Sequence, residues 1–312
     1  MIDKQFSGEG GHAPHGNQGT GAAPPTLSDR GDQAQCEALD VRVAAIPPVS
    51  EAGVHSLAEP HRESDTHLAF TCDVLRELHR QRQDLHRAEK SLTLQIKAKL
   101  RRLTAGDRPE ADRIYKSMQN GCDHDLAMQA LAVCAPFLTA RSVLEQERKA
   151  TEKQMAKRAK ALPVYPWVEG VRGLGALGLA MIVGEAGNLS DYATVSKLWK
   201  RLGLAVVNGE RQQRKPGAEA LLHGYSPSRR AVIYALGESL IQAKGAYADL
   251  LRARKERERE KAAEEGLIVA PAAKIPAGKH AQYRSDGHVH NRAKRYMEKR
   301  LIRDLWVAWR AA

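Results

Sequence analysis

The chain has 312 residues, 28% of them charged and only 5% aromatic, with three Phe and a net charge of +12. So few large aromatic side chains argue against one big, tightly packed globule and favour modest helical units with a tail. The four cysteines, Cys36, Cys72, Cys122 and Cys134, form no CxxC pair, which excludes a zinc knuckle or disulfide framework as an organising device and points to a reducing compartment.

Residues 1–62 read as a disordered acidic arm rich in Gly, Pro, Ser and Ala. Residues 1–60 hold three Lys/Arg against eight Asp/Glu, a balance of −5, so the rest of the chain carries +17. One apolar piece, ALDVRVAAIPPV, is a candidate strand. No secretion signal layout and no run of about 18 apolar residues is legible, and the expected setting is cytoplasmic and nucleoid-associated, with no membrane partner. A surplus of this size on the ordered part favours a polyanionic partner, with double-stranded DNA first, because binding phosphates releases counterions.

Residues 63–162 read as a coiled-coil-like helical region. From Thr66 to Leu103, Leu68, Leu75, Ile96 and Leu103 share one heptad position and Leu78, Leu85 and Leu92 the other, with Arg82, Glu89 and Lys99 interrupting the seam. Gly106 and Pro109 end this helix. Shorter helices are expected over Ala111–Met118 and from Asp125 toward Pro136. Beyond the proline a charged helix returns antiparallel to the first, and a homo-oligomer formed through this coil is expected. His79 and His86, one heptad apart, read as surface residues.

Residues 163–260 open on a proline hinge, Pro163 and Pro166, and then EGVRGLGALGLAMIVGEAG, six glycines in an apolar run from Glu169 to Gly187. Gly173, Gly175 and Gly178 have dinucleotide-fingerprint spacing, but the preceding segment is a poor buried strand and no strand–helix alternation surrounds it. A helix-hairpin-helix fits better. In it, a helix over Tyr165–Arg172 turns through Gly173-Leu174-Gly175 into a second helix, Ala176–Glu185. The glycines take positive φ, Leu174 plugs the core, and the opening amides of the second helix face a phosphate. The competing reading is a helical hairpin whose glycines serve packing only. A short helix around DYATVSKLWKRLGL, a basic loop over 208–225 and a helix from Pro227 to about Glu260 follow, with Ser226 as N-cap. In and after the loop, Arg211, Arg214, Lys215, Arg229 and Arg230 are candidate phosphate clamps, alongside Arg172 in the hairpin.

Residues 261–285 read as a linker and 286–312 as a basic amphipathic tail helix. Arg292, Arg295, Lys299, Arg303 and Arg310 fall in one arc opposite Met297, Leu301 and Leu305. His280, His288 and His290, with Asp286 and Tyr283, form the one dense histidine cluster. It lacks a second ligand pair at metal spacing and reads as a solvated or phosphate-contacting loop, with no metal site expected.

The segment GVRGLGALGLAMIVGEAGNLSDYATVSKLWKRLGL resembles the C-terminal domain of insertion-sequence transposases of the IS one-ten, IS one-one-six and IS nine-oh-two group, the bridge-RNA-guided recombinases. Gly173-Leu174-Gly175 matches that family's hairpin, Glu185-Ala186-Gly187-Asn188 its helix end, and Leu198 through Gly203-Leu204 its second helix. The resemblance implies DNA binding in transposition or recombination, a coiled-coil insertion and a guide RNA as a further partner. It also implies an N-terminal ribonuclease-H-like domain with four acidic ligands for Mg²⁺, for which this chain has no room; Asp40 is the sole acid on anything strand-like. The family's Ser-Gly nucleophile aligns with Asn208-Gly209, and an amide forms no phosphoseryl link. Ser226 and Ser228 are the remaining nucleophile candidates. The expectation is therefore a mainly α protein that grips duplex backbone, with no cofactor of its own and Mg²⁺ only if it is catalytic. The alternatives are a divergent active transposase working with a partner subunit or guide RNA, and a coiled-coil structural or interaction protein.

Overall fold

A computed structural model describes residues 61–120 and 125–312. The candidate strand around Asp40 and most of the acidic arm lie outside the described residues, as do Cys36 and Cys122.

The chain is mainly α. Helix α1 (His61–Leu103) is followed by α2 (Arg108–Asn120) and α3 (Asp125–Lys160), which runs back along α1. Pro136 lies inside α3 rather than ending it. It sits on the exposed outer face, where the amide bond it removes and the carbonyl it crowds both face solvent.

The three charges that break the heptad seam are what join the two helices. Arg82 Nε donates to Glu152 Oε1 at 2.8 Å, and Glu89 receives Arg148 at 2.8 Å and Arg141 at 3.6 Å. Arg148 also reaches Glu152 at 2.9 Å, and Lys99 Nζ lies 4.5 Å from the centre of the Phe137 ring. This polar belt separates two apolar cores. The smaller, at the far end, gathers Ile96, Leu100, Ile114, Tyr115, Ala127 and Cys134. The larger takes Cys72 and Leu75 of α1 and Met155 of α3 together with downstream apolar residues between Leu162 and Trp309.

Downstream come α4 (Tyr165–Glu169), α5 (Gly175–Ala186), a 3₁₀ turn (Leu189–Asp191) and α6 (Val195–Arg201). The expected basic loop is ordered differently. Val206–Val207 (β1) and Glu210–Arg211 (β2) form an antiparallel hairpin turning at Asn208 (φ 53°) and Gly209 (φ 79°), the left-handed pair of a two-residue Asn-Gly turn, before α7 (Gly217–His223).

The single helix expected over 227–260 is two, α8 (Pro227–Gln242) and α9 (Ala246–Glu264), separated by Lys244 at φ 51° and an extended Gly245. Ser226 does cap α8, its Oγ accepting from Arg229 N at 3.5 Å. The region expected as a linker contains β3 (Ile268–Ala270), which pairs in parallel with β4 (Tyr283–Ser285). Helix α10 (Asp286–Ala311) then runs antiparallel to α9. Tyr247 Oη donates to Asp304 at 2.9 Å near one end of the pair, and Arg292 meets Glu258 at 2.7 Å toward the other.

The tail helix is part of the main core. Ala293, Met297, Leu301, Ile302 and Leu305 are all buried in it. Its tryptophans pin the exit of α5: Trp306 donates to Tyr192 O and Trp309 to Asn188 Oδ1, each at 3.1 Å.

Candidate nucleic-acid interface

The hairpin between α4 and α5 has the conformation that its glycines permit. Gly173 takes φ 95° and Gly175 φ 59°, and Leu174 between them is buried in the core. The two glycines face different things. A Cβ on Gly173 would lie 2.8 Å from both Ala243 Cβ and the Ser239 carbonyl oxygen, so this glycine lets the turn press against the end of α8. A Cβ on Gly175 would meet nothing within 4 Å. Both glycines are exposed, but packing accounts for the first, and only at the second would a Cβ enter open space.

Gly175 opens a twelve-residue helix whose N-cap residue, Leu174, offers no side-chain acceptor. The first amides of a helix have no intrahelical partner, and here no cap consumes them, so they present donors and the positive end of the helix dipole outward.

Two cations belong to the same turn region. Arg172 is exposed, and Gly245 approaches it so closely that a Cβ there would sit 3.0 Å from Arg172 Cβ. The α8–α9 turn is thereby stacked on the hairpin, with exposed Lys244 at its apex. Among the described residues neither Arg172 nor Lys244 belongs to a recorded ion pair. Lys244 falls inside the single helix that periodicity suggests over 227–260; the Lys-Gly step at 244–245 is the signal for a helix end there.

The other basic candidates are mostly engaged within the protein. Lys215 lies 3.0 Å from Glu210 and 3.7 Å from Glu219, Arg230 is 2.7 Å from Glu298, and Arg229 stands 3.7 Å from Glu185. On α10, Arg292 and Arg310 are exposed, with Arg292 held by Glu258 and Arg310 stacked 4.8 Å from the Trp306 ring. Lys299 lies over Trp199 at 5.0 Å, and Arg303 is half-buried. Arg295 turns inward and donates to the Ala205 carbonyl at 3.0 Å. Burial, with Arg230 beside it, pulls its guanidinium down to about 10. The outward basic face expected on this helix is therefore partly roofed by α6 and the segment leading into β1. Arg211 and Arg214 remain exposed on the β-hairpin side.

Ser226 and Ser228 bond to each other, Oγ to Oγ at 2.9 Å. Among the described residues no histidine or carboxylate is recorded against either hydroxyl, so neither has a base beside it.

One constellation was missed outright. His79 is not a surface residue: it is 1% exposed, with Nε2 3.1 Å from Glu185 Oε1 at the end of α5. Gln83 donates to the same oxygen at 2.7 Å, and Arg201 donates to the Glu185 carbonyl at 2.9 Å. Burial pushes the Glu185 carboxyl up, but bonding and charge from His79, Gln83 and Arg229 outweigh it and hold the group below the usual carboxylate range. Gly184 makes room for the imidazole, since a Cβ there would come 2.5 Å from His79 Cβ. The available clue was that His79 stands four residues after Leu75, on the same helix face. His86 is exposed, as expected.

Comparison with protein-family models, with curated proteins and with solved structures finds no match to this chain.

Proposed function

We propose that this chain binds duplex DNA through the sugar–phosphate backbone, with the start of α5 as the contact, and that it is related to the insertion-sequence transposases its hairpin segment resembles. The observation that carries the reading is the uncapped opening of α5 at Gly175, with open space in front of it and Arg172 and Lys244 in the same turn region. Backbone amides and a helix dipole select an anion without reading bases, and two unpaired cations add charge-assisted bonds to phosphate. The net charge of +12 supports a polyanion as the partner.

The test is fluorescence anisotropy with labelled duplexes of unrelated sequence. Comparable affinities that fall steeply with salt support the reading; absence of binding at low salt overturns it.

A second reading, self-association through the coil, is favoured by the outer face of α3. Leu126, Met128, Val133 and Val143 are 39%, 64%, 46% and 53% exposed there. The apolar stretch of this helix is long enough to span a membrane by length and composition alone, and is 17% buried. Exposed large apolar side chains along one helix favour an interaction surface. Sedimentation equilibrium separates the cases: a detergent-independent oligomer supports self-association, and a monomer removes it.

A further inference from the structure

The histidine cluster near the C-terminus is not a metal site in form. Among the described residues no three His, Cys, Asp or Glu side chains come together to hold an ion. Asp286 instead turns toward Arg259 at 4.0 Å, and His290 lies by Lys255 and Glu238. His280, Tyr283 and His288 do line one open cleft, of about 460 Å³, between the β3–β4 pair and the start of α10. The parallel pairing of β3 and β4 across the 271–282 excursion is what builds this cleft.

Its lining has two characters. Leu267 and Ile275 supply apolar lining; Arg284 and Ser285 supply donors. The Arg284 side chain is only 14% exposed and is oriented by Glu265 at 2.7 Å, which leaves other guanidinium N–H groups to bond elsewhere. Ser285 Oγ accepts from His288 N at 3.1 Å and so keeps its own hydroxyl proton to donate. Behind these groups stands the start of a twenty-six-residue helix. Arg284, Arg292 and Arg211 gather around the His288 end of the cleft, the first two paired with Glu265 and Glu258. Burial, then Arg292, Arg284 and Arg211, hold the His288 imidazole below its ordinary value, against the opposing pull of Glu258. An arginine, an imidazole and a hydroxyl lining one cleft suit a many-oxygen anionic acceptor such as a phosphate. The volume suits a small organic ligand, and the apolar lining with the half-buried Tyr283 ring suits a flat one.

We propose that this cleft binds a phosphate-bearing, ring-containing ligand of nucleotide size, with Arg284 and His288 taking the phosphate and the apolar lining of Leu267 and Ile275 taking the ring. The site is separate from the hairpin at Gly175 and does not rest on the duplex-binding reading. Its ligand chemistry has two sources, a free mononucleotide or the phosphorylated end of a single strand.

Isothermal titration calorimetry of the full chain with AMP, adenosine and inorganic phosphate tests it. AMP is expected to bind at least about tenfold more tightly than either half alone, and Arg284→Gln to weaken AMP by about tenfold or more without weakening adenosine. His288→Ala, at an exposed position, gives a second loss that does not depend on how Arg284→Gln folds. Competition by a 5′-phosphorylated single-stranded hexanucleotide, and not by its 5′-hydroxyl counterpart, assigns the ligand to a strand end; no competition assigns it to the free nucleotide. Equal affinity for AMP and adenosine, unchanged AMP binding in both variants, or no AMP binding at about 1 mM overturns the proposal.

Discussion

Substituting alanine at each glycine of the hairpin separates folding from binding. Gly173→Ala places a methyl 2.8 Å from the Ser239 carbonyl and from Ala243 Cβ, at φ 95°. Backbone cannot swing aside as a flexible side chain does, so overpacking costs about 1–3 kcal/mol, with about 1 kcal/mol more from the positive φ. At about 2–4 °C per kcal/mol for a chain of this size, the melting temperature should fall by about 5–15 °C. Gly175→Ala carries only the left-handed strain at φ 59°, about 1 kcal/mol, because its methyl enters open space. That methyl stands where a phosphate would approach the opening amides. Loss of one charge-assisted bond, about 1.5–3 kcal/mol, lowers duplex affinity roughly tenfold to a hundredfold. Thermal melting by circular dichroism and duplex anisotropy at one salt concentration read the two effects. A Gly175→Ala protein that is folded and binds as the parent does refutes the contact, and a Gly173→Ala protein that melts as the parent does refutes the packing.

Three further outcomes are expected. Glu89→Ala removes a carboxylate that Arg148 and Arg141 share, leaving them Glu152 and Glu145, and should destabilise the chain by about 1.5–3 kcal/mol, read by urea denaturation; a change within about 0.5 kcal/mol contradicts the network. The depressed Glu185 pKa means that its contribution to stability is present above the ordinary carboxylate value and is lost as pH falls through the folded value. Acid melts of the parent should therefore steepen below about pH 4.5, and Glu185→Gln should flatten that dependence; identical pH profiles for the two proteins contradict it. Burial, with Asp73 and Asp191, pushes the Cys72 thiol up to about 12, so at pH 8 Ellman's reagent should modify Cys72 only after denaturation; prompt modification of the native chain, localised to Cys72 by mass spectrometry, contradicts its burial.

The elements that sequence periodicity revealed are those held by long apolar stripes. The α1 seam, its antiparallel return in α3 and the hairpin through Gly173 and Gly175 all followed from spacing. What escaped was decided by tertiary contact. Arg82 and Glu89 look like defects in a heptad until α3 brings Glu152 and Arg148 against them. His79 looks like a surface residue until α5 places Glu185 beside it. Both glycines of the hairpin satisfy the same local rule for positive φ, and only the position of α8 distinguishes the packed Gly173 from the open Gly175. Two misses were legible locally: the Asn208-Gly209 turn, and the helix end at Lys244-Gly245. The helix wheel puts Arg295 in the basic arc of α10, yet it is half-buried and bonded to Ala205, because a wheel does not show what crosses above it.

The central claim, a phosphate grip at the opening of α5, is tested most directly by the salt dependence of duplex affinity in the parent and in an Arg172→Gln, Lys244→Gln double variant. Each phosphate contact contributes about 0.9 to the slope of log affinity against log salt, so the variant's slope should be shallower by about 2, uniformly across unrelated sequences. An unchanged slope in a variant that melts as the parent does would contradict the account.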